Sequence, residues 1–270
     1  MGQSHVLTLL LAPALLAAAA TRPPRLVSIN PCVDALLWRV ADPGEIVAIS
    51  RYSQDPRATS VPLAWARGFR ATDGTAEELV ALKPDTVLAG SGTDPATVKA
   101  LRRLGVRLIE FPVPESVGQS IAQARAVAAI AGHAERGAAL AGAIERAAQP
   151  QAGTRVPALL WREGGLVLGA GTLAEDLLAR AGFRNVSPDY GLGKWGVLPL
   201  ERLIARPPKV ILSTPAAEAG GDRLATHRAL RNLRVSARIV PFPGWLMNCG
   251  GPTIMPAMAR LRAIRAGIGA

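Results

Sequence analysis

The sequence predicts an α/β protein of two Rossmann-like lobes with central parallel sheets, connected through helix. Three observations predict it. Short apolar runs alternate with amphipathic helical stretches along the chain, the pattern of parallel βαβ units. One unit is written twice without a gap, as EELVALKPDTVL at residues 77–88 and ERLIARPPKVIL at residues 201–212. Each copy encodes a short amphipathic helix, a proline stop and a buried strand. A unit repeated once, more than a hundred residues later, is not a solenoid period of roughly 20–50 residues. It marks two similar lobes with a cleft between them. Between the copies, residues 115–149 are almost entirely helix-forming.

Residues 1–20, MGQSHVLTLLLAPALLAAAA, are an apolar block ending in small residues. The block is too short for a good membrane anchor and resembles a secretory signal peptide cut near Ala20, with His5 as its only n-region cation. An N-terminal lobe is expected over 21–118. Leu26–Ile29 reads as a strand running into Asn30-Pro31-Cys32 and a helix to Val40, with Asp34 in its first turn. Ile46–Ile49 is a strand followed by the polar loop 50–59. Thr75 caps a helix at Ala76–Leu82, Pro84 stops it, and Thr86–Ala89 is a strand. Asp94-Pro95 opens a helix to Leu104, Gly105 ends it, and Val106–Glu110 is a strand. Residues 119–152 form a helical segment that Gly132 divides. Its second helix, His133–Ala148, leads into the Pro150–Gly153 bend and is the natural connector. The C-terminal lobe, 153–270, has strands at Ala158–Trp161 and Leu166–Leu168 and a helix at Leu173–Ala181 closed by Gly182. The second repeat copy, a helix at His227–Leu233, a strand at Arg238–Pro241 and a last helix at Thr253–Ala266 follow.

The 270 residues are 49% hydrophobic, with a formal charge of +11 and Arg far above Lys. The basic residues are scattered and form no run of five, and no nucleic-acid motif occurs, so nucleic acid is not an expected partner. Coding bias explains such a balance, as does attraction to an anionic ligand or lipid surface. No P-loop, G-x-G-x-x-G, G-x-S-x-G, H-E-x-x-H or CxxC is present. The three histidines, His5, His133 and His227, have no metal-ligand spacing. Catalytic residues, a metal site and a cofactor are therefore not expected, and binding without catalysis is favoured. Cys32 and Cys249 leave three readings open: inert small hydrophobes, thiol contacts to a ligand or metal, or a cross-lobe disulfide. Cys32 lacks the small apolar residues that precede a lipidated cysteine.

Over residues 25–265 the chain resembles the periplasmic substrate-binding proteins of ABC importers for cobalamin and ferric siderophores, a helical-backbone, TroA-like bilobal family. The carriers, in order, are RLVSINP, VAISRYSQDP, EELVALKPDTVLAG, LGVRL, NVSPDYGLGKWGVLPLERLIARPPKVIL and a terminal helix after Gly-Pro. The resemblance implies two lobes joined by a single long α-helix, a ligand in the cleft between them, and little closure on binding. It implies an exported, monomeric protein that delivers a corrinoid or ferric siderophore to an ABC importer, a permease dimer with its ATPase. Glu77 and Glu201, one per repeat, would dock on the permease dimer. Tyr52 and Trp195 match cleft aromatics, with Trp161, Trp245 and Trp65 as further candidates, while Trp38 sits inside a helix as core. Aromatics expected near residues 71 and 90 are replaced by Ala71 and Gly90. Arg51 and Arg70 would then pair with an anionic ferric chelate, and Cys32 and Cys249 fall in segments beside the cleft. The alternatives are a haem or other metal-chelate binder, with Tyr52 or Tyr190 as axial ligand, or an enzyme or sensor on the same scaffold.

Overall fold

The computed structural model describes residues 22–214 and 236–268. The signal segment expected at 1–20 and the helix expected at 227–233, with His5 and His227, lie outside the described residues. The first sheet contains β1 (Leu26–Ser28), β2 (Ile46–Ser50), β3 (Ala71–Thr72), β4 (Thr86–Gly90) and β5 (Leu108–Phe111) in the order β3-β2-β1-β4-β5, all parallel. Its helices are α1 (Pro31–Val40), α2 (Leu63–Ala66), α3 (Ala76–Ala81) and α4 (Pro95–Arg103). β1 and the first four residues of β4 are buried throughout, because parallel strands covered on both faces need continuous apolar runs.

The second sheet contains β6 (Val156–Trp161), β7 (Leu166–Leu168), β8 (Phe183–Asn185), β9 (Trp195–Val197), β10 (Val210–Ser213) and β11 (Arg238–Pro241). β11, β10, β6 and β8 run parallel, while β7 and β9 add an antiparallel extension beside β6. The parallel sheet expected here is thus a parallel centre with a mixed edge. Its helices are α7 (Leu173–Arg180), α8 (Leu200–Ala205) and, last in the described chain, α9 (Ile254–Ala266). The repeat is structural: α3–β4 and α8–β10 have the same helix and strand at the same positions.

Polar residues set the helix starts. Asn30 and Asp94 accept the backbone N–H two residues on, and Thr75, Ser116 and Thr172 the one three residues on, at 2.8–3.3 Å. Each satisfies a donor that the first turn leaves unpaired.

From β5 to β6 the chain passes through α5 (Val117–Ile130) and α6 (Ala134–Ala147), two 14-residue helices parted at Gly132 and packed side by side. A Cβ on Gly137 would lie 2.5 Å from the Ala128 Cβ, so α6 approaches α5 closely only because residue 137 has no side chain. α1 packs on both helices and α9 on α6. One apolar core runs from Leu26 and Leu88 of the first sheet, through Ala124 and Leu140, to Leu160 and Leu212 of the second. A polar joint adds to it: His133 Nε2 lies 2.8 Å from the buried Glu45 carboxylate and 3.4 Å from Asp42, which Arg136 also pairs at 2.8 Å. The partners of His133 lie far away in sequence, which is why spacing did not reveal them.

Candidate ligand-binding cleft

A cavity of about 890 Å³ opens between the two sheets, within the roughly 300–1,000 Å³ range of small-molecule sites. One wall is formed at the carboxyl ends of β1, β2, β4 and β5, the other around the ends of β6 and β7 and the loop before α9. In open α/β sheets ligands bind at such strand ends, where the chain order reverses. In the first sheet that reversal lies between β1 and β4. Asn30 and Gly90 meet there, and a Cβ on Gly90 would sit 2.7 Å from Asn30 Nδ2. Asn30 is held by its cap to the Cys32 N–H. A large side chain at 90 would therefore have to displace that cap.

Tyr52 and Trp195 line the cavity and are 50% and 55% exposed, a heavy exposure for large aromatics. Tyr52 lies in a 3₁₀ turn, Arg51–Gln54, directly after β2. The buried Asp34 carboxylate organises that turn: Oδ2 accepts the Ser50 N–H at 3.0 Å and the Ser53 hydroxyl at 2.6 Å. Oδ1 has no partner. Burial pushes the Asp34 pKa up to about 7, against the lowering effect of hydrogen bonds from serines. The sequence showed Asp34 only as a first-turn acid. Arg51 donates to the Tyr52 hydroxyl at 3.3 Å, stacks 5.1 Å from its ring centroid and pairs with Asp73 at 3.0 Å. Trp195 begins β9 opposite Leu168 and is not in a loop. Lys194 lies 5.7 Å from its ring centroid and pairs with Glu115 across the cavity edge.

The other aromatic and arginine candidates do not line the cavity. Trp161 is 8% exposed and packs with Val186, Tyr190 and Ile211 beneath the second lobe. Successive strand residues face opposite ways, so its neighbour Arg162 lines the cavity instead. Trp65 packs on Phe69 at 4.7 Å, and Arg70 faces Glu78 at 3.7 Å. Trp245 is 43% exposed but outside the lining, which its neighbours Leu246 to Gly250 supply. Tyr190 is buried, its hydroxyl donates to the Arg206 carbonyl, and burial raises its pKa. It is not offered to a ligand. Trp38 packs against the core, with the Arg39 guanidinium 5.2 Å from its ring centroid.

Cys32 and Cys249 form a disulfide with Cα atoms 5.1 Å apart. It joins the start of α1 to the loop before α9 and lies in the cavity wall, so neither cysteine is a free thiol ligand. The approach depends on Gly250 and Gly251. A Cβ on Gly250 would lie 2.5 Å from Ser120 Oγ; one on Gly251, at φ +66°, would lie 2.6 Å from Leu36 Cδ2.

Glu77 and Glu201 occupy the second position of α3 and of α8 and are outside the cavity lining. Both are exposed, and neither is ion-paired among the described residues.

Residues 26–236 match the family described as periplasmic binding protein. The chain belongs to the periplasmic binding protein family. This is a family of binding proteins, not enzymes. A curated cobalamin-binding protein of Halobacterium salinarum is 23% identical over 264 residues, spanning 89% of this chain and 69% of that protein. Among solved structures, the periplasmic heme-binding protein HutB of Vibrio cholerae superposes with a TM-score of 0.72 at 18% identity, covering 90% of this chain and 98% of its own. The periplasmic vitamin B12 binding protein BtuF of Vibrio cholerae gives 0.69 at 17% identity, covering 91% and 98%. At such identities these structures establish the bilobal fold.

Proposed function

We propose that this periplasmic binding protein captures a macrocyclic or chelated metal complex in the inter-lobe cavity, a corrinoid or ferric siderophore, and delivers it to an ABC importer. The observation that carries the reading is the cavity flanked by Tyr52 of one lobe and Trp195 of the other. Aromatic faces left half in water are stabilised when a flat, conjugated or apolar ligand covers them. The cobalamin-binding relative and the heme- and B12-binding structural neighbours support this ligand class. Tryptophan fluorescence titration with cobalamin, haemin and several ferric siderophores tests it; quenching by at least one is expected, and quenching by none refutes it.

Haem is favoured as a second reading by one contact. The Arg51 guanidinium holds the Tyr52 oxygen at the cavity wall, and a tyrosine oxygen is one of the axial ligands ferric haem accepts. Loss of the haemin absorption shift in Tyr52→Phe, with cobalamin binding intact, would identify that ligand.

Delivery rests on Glu77 and Glu201. Two exposed, matched carboxylates, one per repeat, suit a two-fold pair of basic pockets on a permease dimer driven by its ATPase. Export through the N-terminal signal segment, 1–20, places the monomer in the periplasm.

A further inference from the structure

Arg162 follows directly on β6, the strand around which the second lobe is built, with β10 on one side and β7 and β8 on the other. It is half-buried and lines the cavity. Of the five N–H groups a guanidinium carries, one has an acceptor among the described residues: Nη2 donates to Asn248 Oδ1 at 3.2 Å. Asn248 precedes the disulfide-bonded Cys249, so the guanidinium is held on a frame that the disulfide fixes. The other charged side chains of the lining are already matched. Asp73 pairs with Arg51, Lys194 with Glu115, and Asp94 accepts the Ala96 N–H at the start of α4. Arg162 has no carboxylate partner among the described side chains, and burial pushes its pKa down. A partly desolvated cation without an acid is stabilised by an incoming anion.

We infer that Arg162 is an anion subsite that takes a carboxylate of the cleft ligand. The planar fork of a guanidinium matches a carboxylate with two parallel hydrogen bonds. The formal charge of +11 attracts such ligands at longer range. The inference deepens the proposed function and rests on it: the cargo carries free carboxylates at its edge, in place of a fully amidated or esterified periphery.

The test uses two matched pairs of chromophores, haemin against its dimethyl ester and cobyrinic acid against its heptamethyl ester. Each is titrated into wild type, Arg162→Gln and Arg162→Lys. Wild type should bind the acid of the macrocycle that fits about 10- to 100-fold more tightly than its ester, the scale of a charge-assisted hydrogen-bonded pair. Arg162→Gln should erase that preference while leaving ester affinity unchanged, which also shows the cavity intact. Arg162→Lys should retain most of it. Equal wild-type affinity for acid and ester, or equal loss of both in Arg162→Gln, overturns the subsite alone. Binding of none of the four overturns the subsite as stated for these macrocycles; the cavity reading falls with it only if the ferric siderophores also fail to quench.

Discussion

The disulfide ties residues 217 apart in sequence, and its removal is the largest single perturbation the structure offers. In the chain-entropy account, opening a loop of that length restores about 5 kcal/mol of freedom to the unfolded chain at 25 °C. A protein of this size gains roughly 0.5 kcal/mol per kelvin of unfolding entropy at its melting point, at about 2.1 cal/mol/K per residue. Cys32→Ala/Cys249→Ala should therefore melt about 10 °C below wild type. Circular dichroism melting of oxidised wild type, reduced wild type and the double variant measures it. The two disulfide-free samples should coincide, because the core shared by both sheets and the α5–α6 pair still hold the fold. A drop under about 3 °C, or separate curves for the reduced and substituted proteins, would refute a stabilisation set by loop length.

Reversing both proposed docking charges, Glu77→Lys/Glu201→Lys, should abolish uptake in cells while ligand affinity of the purified protein stays unchanged; a parallel loss of affinity would sink the docking assignment. Asp34 keeps its proton in the folded protein up to about pH 7, where an unfolded carboxyl of pKa 3.8 has lost it. Its contribution is thus largest below the unfolded pKa and falls as pH rises through the folded one, by about 4 kcal/mol in all. Asp34→Asn removes that slope, so its melting temperature should gain on wild type between pH 5 and pH 8, and parallel profiles would contradict the buried carboxyl. Gly137→Ala drives a methyl against Ala128 where α5 and α6 touch; chemical unfolding should show a loss of about 1–3 kcal/mol, and a neutral result would mean the helices can separate freely.

Order and type of the main elements were legible because their signals are local. Thr75, Asp94 and Thr172 cap where the apolar period begins, and β4 and β10 are apolar runs after a proline. What escaped depends on contacts between distant residues. β9 is only Trp-Gly-Val, and it becomes a strand because β7, far back in the chain, offers it an antiparallel edge. Trp161 and Arg162 are adjacent, and which of them faces the ligand depends on which face of β6 looks into the cleft. The clue was a cation directly after an apolar strand. Residues 51–70 carry no period, so nothing local separated Tyr52, at the cavity, from Trp65 and Arg70, outside it. The disulfide needed the close approach of Gly250 and Gly251 to Ser120 and Leu36, of which the sequence showed only the pair of glycines.

These ties bear on how cargo can leave. The lobes share one apolar core, and Cys32–Cys249 fixes them at the cavity wall. Asp176 of α7 accepts the Val117 N–H at 2.8 Å, and Ser60 donates to the Trp245 carbonyl at 3.5 Å. A wide hinge opening would have to expose core and strain a covalent bond, whereas the Lys194–Glu115 pair is partly exposed on both sides and such pairs are weak in water. That pair sits next to Trp195, at the edge of the cavity. Separation of the Lys194–Trp195 segment from Glu115 would widen the cavity edge with the two sheets kept in place, at the cost of that one exposed pair. The antiparallel extension that carries Trp195 is a three-residue edge strand whose one strand neighbour among the described residues is β7. The part of the wall that would offer a ligand the Trp195 face is thus held by one strand and one exposed ion pair.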